Sequence, residues 1–355
     1  AKCGEDVKFW RELCPELHVE GAHSLELARQ EFPFLEGDEK LAERGDDLRD
    51  ALFQDGFIKV PAGELLWAVD VKKVANAVSS LVQAGLPAHM IFLYDEPWIM
   101  AAQLKQFVRL VCGGNEMMMD WTAFHVRAKE GESSSSSGWP PHRDRGTDQA
   151  AKDGFRPDGT ARYTTFWMAL SDATPESSCL SVVPRKYDPG YTEGDRGVSP
   201  LTAIFRSPEA FQHIRALPVS AGGMVAFTHR TLHWGSAADP RAPAPRIAIA
   251  FAASDPCFAP PYFSKNELPL PPLSLRLSLV AGQVLAYCQN ESTISDASVA
   301  NLFGELFKRK AQQFHVSFRS IVLSHKQFLD GKFSQEEEEQ KSEADSDMAV
   351  LDGFS

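Results

Sequence analysis

The chain has 355 residues, 43% of them hydrophobic, and a formal net charge of −12. That is enough apolar material for a sizeable core, while the acidic balance without a basic stripe excludes duplex nucleic acid as the expected partner. No apolar run approaches the roughly 18 residues of a membrane-spanning helix, and the opening Ala1-Lys2-Cys3-Gly4-Glu5-Asp6 has no apolar signal region.

In chain order, residues 1–90 read as a helical N-terminal support region, with periodic apolar positions over 13–27, 41–57 and 71–84. Strands follow over 90–94 and 121–127, then a low-complexity serine loop, 131–138. Beyond Asp144, a loop rich in Gly, Asp, Lys and Arg spans 145–162; loops this long beside a site often act as lids. Strands resume over 163–170, 180–184, 216–219, 224–228 and 247–253. A last helix covers 298–329. The expected architecture is mainly β with flanking helices: a double-stranded β-helix, or jelly roll, over 91–260, followed by a helical extension over 261–330. The last 25 residues hold eight acids against Lys332 and Lys341. They are expected to be a disordered, solvating tail or, alternatively, a partner-docking segment.

Six cysteines, Cys3, Cys14, Cys112, Cys179, Cys257 and Cys288, are scattered with no Cys-x-x-Cys pair. Free thiols are expected, and with them a cytoplasmic or other reducing intracellular compartment; a disulfide scaffold or zinc ribbon is excluded.

The chemistry concentrates in Pro140-Pro141-His142-Arg143-Asp144, in His233, 89 residues beyond Asp144, and in Arg246, 13 residues further on. Residues i and i+2 of a strand share a face, so His142 and Asp144 can ligate one metal while Arg143 faces away. Two imidazoles and one carboxylate leave metal positions open, as non-haem Fe(II) oxygen chemistry requires. The apolar stretches ending at His233 and starting at Arg246 read as neighbouring antiparallel strands joined by a hairpin-like, proline-rich loop, which would return Arg246 to His233. A guanidinium there can grip a carboxylate through two parallel hydrogen bonds. Arg241 is the rival; Arg246 is preferred because it immediately precedes the strand. His229 and His233 are four apart as in zinc proteases, but the segment lacks that motif's Glu and is bounded by Gly222-Gly223 and Pro240, so His229 reads as a bystander.

Three blocks, Trp139 to Asp144, Phe166 to Pro184, and Leu232 to Ser236 with Pro245 to Phe251, resemble the phytanoyl-CoA dioxygenase family of Fe(II)- and 2-oxoglutarate-dependent oxygenases. The likeness spans residues 120–255. It implies His142, Asp144 and His233 as iron ligands and Arg246 as the anchor of the distal carboxylate of 2-oxoglutarate. Trp167 and Ser236 match positions lining the co-substrate pocket, although Trp167 can also be plain core. His125 faces the pocket or ends an edge strand. Two positions depart from the family: Arg143 stands where Gln is often found, and Ser178 where Gly is usual.

The resemblance further implies Fe(II), 2-oxoglutarate and O2, with ascorbate as a candidate reductant, and hydroxylation or desaturation of a small-molecule metabolite with release of succinate and CO2. Asp144 occupies the place where related halogenases have a small residue, which favours hydroxylation. Arg143, Arg145, Lys152, Arg156, Arg162 and Arg185 suit an anionic substrate unless they pair with Asp148, Asp153, Asp158 and Asp172. A protein or nucleic-acid hydroxylase and a non-catalytic jelly-roll binding protein remain as alternatives.

Overall fold

A computed structural model describes residues 5–30, 38–128, 138–264, 270–287, 294 and 296–352, the side chains of 38–43 and 336–352 excepted. Among the described residues nine strands are formed: β1 (Phe57–Val60), β2 (Glu116–Val126), β3 (Trp139–His142), β4 (Tyr163–Ala169), β5 (Leu180–Val183), β6 (Arg215–Leu217), β7 (Met224–Thr228), β8 (Leu232–Gly235) and β9 (Arg246–Ser254). They make two antiparallel sheets, β1-β7-β4-β9-β2 and β3-β8-β5-β6.

The period-two alternation of a strand explains which residues meet where. From the larger sheet, Trp167, Val225, Phe227, Ala248 and Ala250 turn towards Leu180, Val182 and Leu217 of the smaller one and fill the space between them. Their neighbours Phe166, Met168, Met224, Ala226, Ile249 and Phe251 point the other way, into a second core shared with helices. Because helices cover the outer face, β4, β7 and β9 are buried on both sides. That is why these strands read as continuous apolar runs and not as an apolar-polar alternation.

The two sheets form the expected jelly-roll core, but the described residues hold more helix than strand. The helix Leu273–Ala286 is buried at every position except Ser274, as a helix with apolar residues on all sides is. Residues 90–94, expected as a strand, are the end of a 3-10 helix, Ala88–Leu93, and its cap Tyr94, which leads into an unforeseen helix, Asp95–Cys112. Met90-Ile91-Phe92-Leu93 is wholly buried, and a short apolar run buried on all sides has no periodicity to tell strand from helix. Strand β1 lies inside the region expected to be helical. The single expected helix over 298–329 is two, Ala297–Lys308 and Val316–Asp352. The backbone of the acidic stretch continues that second helix to Asp352 where disorder was expected, and its Glu, Gln, Lys and Ala residues are strong helix formers.

The serine loop 131–137 lies outside the described residues. Segment 145–162 is not a bare loop. It contains a short helix, Asp148–Asp153, capped by the Thr147 side chain, and its arginines are engaged: Arg145 with Asp120, and Arg156 and Arg162 with Asp255. Cys14, Cys112 and Cys179 are buried free thiols and Cys257 an exposed one. Among the described residues, no helix is long and apolar enough to cross a membrane.

Candidate active site

The register of β3 on β8 sets His142 directly opposite His233. Asp144, two residues past His142, falls on the same side, and one donor atom from each of the three lies within 4.8 Å of the others. Oδ1 of Asp144 is 3.7 Å from His142 Nε2 and 3.5 Å from His233 Nε2. Each imidazole has its Nδ1 against a backbone carbonyl, His142 on Pro140 at 2.8 Å and His233 on Thr231 at 3.0 Å. A carbonyl can only accept, so both Nδ1 atoms carry the proton and both Nε2 lone pairs face the shared space. The remaining carboxylate oxygen of Asp144, Oδ2, accepts from the Thr165 hydroxyl. Burial holds His233 down to about 4, so it is neutral at pH 7. Burial pushes the Asp144 carboxyl up, but His233, His142 and the Thr165 hydroxyl outweigh it and leave it below its ordinary value. Two imidazoles that present Nε2 and one carboxylate are a donor set suited to a divalent iron ion.

The three residues line a cavity of about 280 Å³, walled by Phe124, Trp167, Leu180 and Phe227 and reached by Arg246. That is the small end of ligand-pocket volumes, roughly 300–1,000 Å³. Arg246 is 2% exposed and has no carboxylate partner among the described residues. Its Nε lacks a hydrogen-bond partner, as do the buried Nε1 of Trp167 and Oγ of Ser178. Desolvation lowers the guanidinium to about 10, which still leaves it charged at neutral pH. A buried, uncompensated cation beside unsatisfied donors is costly unless an anion completes it, so the cavity fits a small dicarboxylate lying between Arg246 and the metal donors.

Arg246 does not arrive by the expected hairpin. Strands β8 and β9 belong to different sheets, so the proline-rich segment crosses the sandwich and Arg246 faces β8 from the opposite layer. Arg241, the rival, is exposed and paired with Asp239. Ser236, expected in the pocket, is exposed just past β8; Gly235 lines the cavity in its place. His125 also misses the cavity wall. On β2, Asp120, Thr122 and Phe124 line the cavity, so the pleat turns residue 125 to the other face. Trp167 is both core and pocket wall. His229 is fully buried between Phe155 and Phe258, away from the metal donors. Ser178 adopts φ +71°, the left-handed conformation that glycine fills most easily.

Several cavity residues were not foreseen. Thr165 stands two residues before Trp167 in the same strand, so the period-two rule applied to Trp167 points to it. At the far end of the cavity, Asp120 accepts from Arg145 at 2.7 Å and from the Tyr163 hydroxyl at 2.8 Å, and Tyr287 closes the wall. The cations considered for an anionic substrate are largely neutralised, though not by the acids expected. Arg143 pairs with Asp188 and Asp195, while Arg185 donates to the Phe53 carbonyl.

The sequence matches the model of the phytanoyl-CoA dioxygenase (PhyH) family over residues 43–242, a span that takes in His142, Asp144 and His233 and stops short of Arg246. No curated protein matches the chain. Similar solved structures include the non-heme alpha ketoglutarate dependent epimerase SnoN from nogalamycin biosynthesis, 20% identical, covering 61% of this chain and 84% of that one with a TM-score of 0.42. The carbocyclase SnoK from the same biosynthesis is 16% identical, covering 60% and 86% with a TM-score of 0.44. EctD from S. alaskensis, solved with 2-oxoglutarate and 5-hydroxyectoine, is 16% identical, covering 59% and 75% with a TM-score of 0.39. The family match extends over more than half of the sequence, and the chain belongs to the phytanoyl-CoA dioxygenase family of Fe(II)- and 2-oxoglutarate-dependent oxygenases.

Proposed function

We propose that this enzyme hydroxylates a C–H bond of a small-molecule metabolite, with His142, Asp144 and His233 as the iron ligands and Arg246 as the anchor of 2-oxoglutarate. The observation that carries the reading is the buried Arg246, without a counter-ion, at one end of a cavity that has the His-Asp-His donor set along its wall. Bound Fe(II) supplies O2 activation coupled to oxidation of 2-oxoglutarate to succinate and CO2, with one oxygen atom going to the substrate.

The residues divide the remaining work. Pro140 and Thr231 carbonyls hold the two imidazoles in the tautomer that presents Nε2. Thr165 occupies one oxygen of Asp144 and leaves the other for the metal. The guanidinium of Arg246 is placed to bind a distal carboxylate through paired hydrogen bonds, and the rings of Phe124 and Trp167 beside it exclude water and strengthen that charge pair. Substrate is left the end bounded by Asp120, Arg145, Tyr163 and Tyr287, where the one charge pair is already neutral. Asp144 as a carboxylate ligand favours hydroxylation over halogen transfer.

The test is uncoupled turnover. Purified protein with Fe(II), ascorbate and 2-oxoglutarate is expected to release succinate, and under anaerobic conditions to develop a visible charge-transfer band. Asp144→Ala should lose both. Succinate formation that is independent of added iron, or undiminished in Asp144→Ala, overturns the ligand assignment. A screen of metabolite extracts for mass gains of one oxygen atom then identifies the substrate.

A further inference from the structure

We infer that Arg143, the residue between the two ligands of the His-x-Asp motif, is a positioning residue for the metal site, acting through a buried knot of four charges with Asp188, Asp195 and Arg230. The inference rests on the metal reading of His142, Asp144 and His233.

Arg143 follows the last residue of β3, and its side chain, 1% exposed, turns from the metal donors to Asp188 and Asp195. All five of its N–H groups are used. Nη1 and Nη2 reach Asp188 at 2.5 and 2.9 Å, Nε and Nη2 reach Asp195 at 2.9 and 2.8 Å, and Nη1 also donates to the Arg230 carbonyl at 2.5 Å. Two bidentate grips from one planar fork are something lysine or glutamine cannot reproduce. The Arg230 guanidinium is equally saturated. It donates to Tyr191 O at 3.1 Å, Gly190 O at 2.7 Å, Asp195 Oδ2 at 3.1 Å, Arg145 O at 3.1 Å and Thr147 O at 3.4 Å. Gly190 lets the chain pass this close, since a Cβ there would stand 2.2 Å from Asp195 Oδ1 and 2.9 Å from Arg143 Nη2.

The knot joins the two segments whose separation defines the site. One is residues 142–147, which carry His142 and Asp144. The other is the turn between β7 and β8, where the Arg230 carbonyl takes a bond from Arg143 and the next carbonyl, that of Thr231, orients the His233 ring. The backbone amide of Arg145 bonds the His229 carbonyl in the same turn. Two arginines and two aspartates sum to zero charge, and a buried neutral cluster of this kind contributes little net stability over an apolar core. Its consequence is geometric: it fixes where His233 stands relative to Asp144.

The test is a titration of metal-free protein with Co(II), followed by its visible absorption, alongside the melting temperature of the apo form. Arg143→Gln, folded by circular dichroism, is expected to bind Co(II) about 10- to 100-fold more weakly, the range for loss of a ligand-orienting partner. Arg143→Lys should restore part of the affinity, and the Co(II) spectrum should change in both. A purely structural role would lower the apo melting temperature and leave the Co(II) affinity and spectrum of the folded fraction unmoved, and that result overturns the inference. If Arg143→Gln does not fold, Asp195→Asn, at the more exposed end of the knot, is measured the same way. Unchanged Co(II) binding in it counts against the inference, and weaker binding with an altered spectrum supports it. Failure of the parent protein to bind Co(II) at all would instead remove the metal reading beneath it.

Discussion

The guanidinium of Arg246 stands 5.4 Å from the centre of the Trp167 ring, in a cavity wall where it meets no carboxylate among the described residues. A ring face repays only part of the desolvation of a cation, about 0.5–2 kcal/mol. The rest is a cost carried by the ligand-free protein. Arg246→Met removes that cost together with the anchor. The variant is expected to be at least as stable as the parent without ligand, and to lose the rise in melting temperature that 2-oxoglutarate gives the iron-loaded parent. Thermal denaturation with and without 2-oxoglutarate reads both; a retained ligand shift would count against the anchor.

Thr165 fixes Asp144 from within the larger sheet. Its hydroxyl holds Oδ2, so the carboxylate enters the metal site through Oδ1 alone. Thr165→Val keeps the shape and deletes the hydrogen bond. Expected is about a tenfold loss of metal affinity, the low end for a second partner of a ligand. The apo melting temperature should move little. Equal Co(II) affinity in parent and variant would show that Asp144 is oriented without Thr165.

What the sequence disclosed followed strand periodicity. His142 ends β3 and Asp144 stands in the turn that follows, yet the two come together as residues two apart in an extended chain would, and Arg143 between them turns to Asp188 and Asp195. The rule fails where pairing between strands decides. The partner strands of β9 are β2 and β4, not β8, and a local pattern cannot tell a hairpin from a crossing between sheets. Ser236 is excluded by the periodicity itself: Gly235, two residues past His233, takes the inward position on β8, and Ser236, three past it, is exposed. The buried run 90–94 carried no periodic signal at all. The partners of Arg143 lie 45 and 52 residues away, beyond any local reading.

Two buried imidazoles make apo stability depend on pH. Burial lowers His229 and His233 each to about 4, whereas an unfolded histidine titrates near 6.5. Between those values the unfolded chain binds more protons, so stability is present above about 6.5 and is lost as pH falls through about 4. Each imidazole contributes a slope of ~1.4 kcal/mol per pH unit. His229 sits between two phenylalanine rings, 5.0 Å from Phe155 and 5.4 Å from Phe258, so His229→Phe is sterically conservative. Urea denaturation of the metal-free variant from pH 4 to 6.5 should show about half the parent slope. An unchanged slope would place the linked proton elsewhere.

Gly235 controls the room at the Arg246 end of the cavity. It lies two residues past His233 on the same face of β8, and a Cβ there would stand 3.2 Å from Ser178 Oγ and 3.4 Å from Arg246 Nη2. The first is tighter than ordinary van der Waals contact and the second is at its limit, so the serine must give way and the guanidinium is left no slack. Gly235→Ala should therefore raise the KM for 2-oxoglutarate about tenfold, a loss of ~1.4 kcal/mol of binding, with Co(II) affinity unchanged because no metal donor is touched. Ser178 supplies the internal control. Its φ of +71° suits glycine better than serine, so Ser178→Gly both relieves the backbone and removes the hydroxyl that the new methyl would strike. The double variant is expected to recover part of the lost KM. If Gly235→Ala leaves KM at the parent value, 2-oxoglutarate does not lie against β8 at this end; if Ser178→Gly restores nothing, the displaced group is the guanidinium alone.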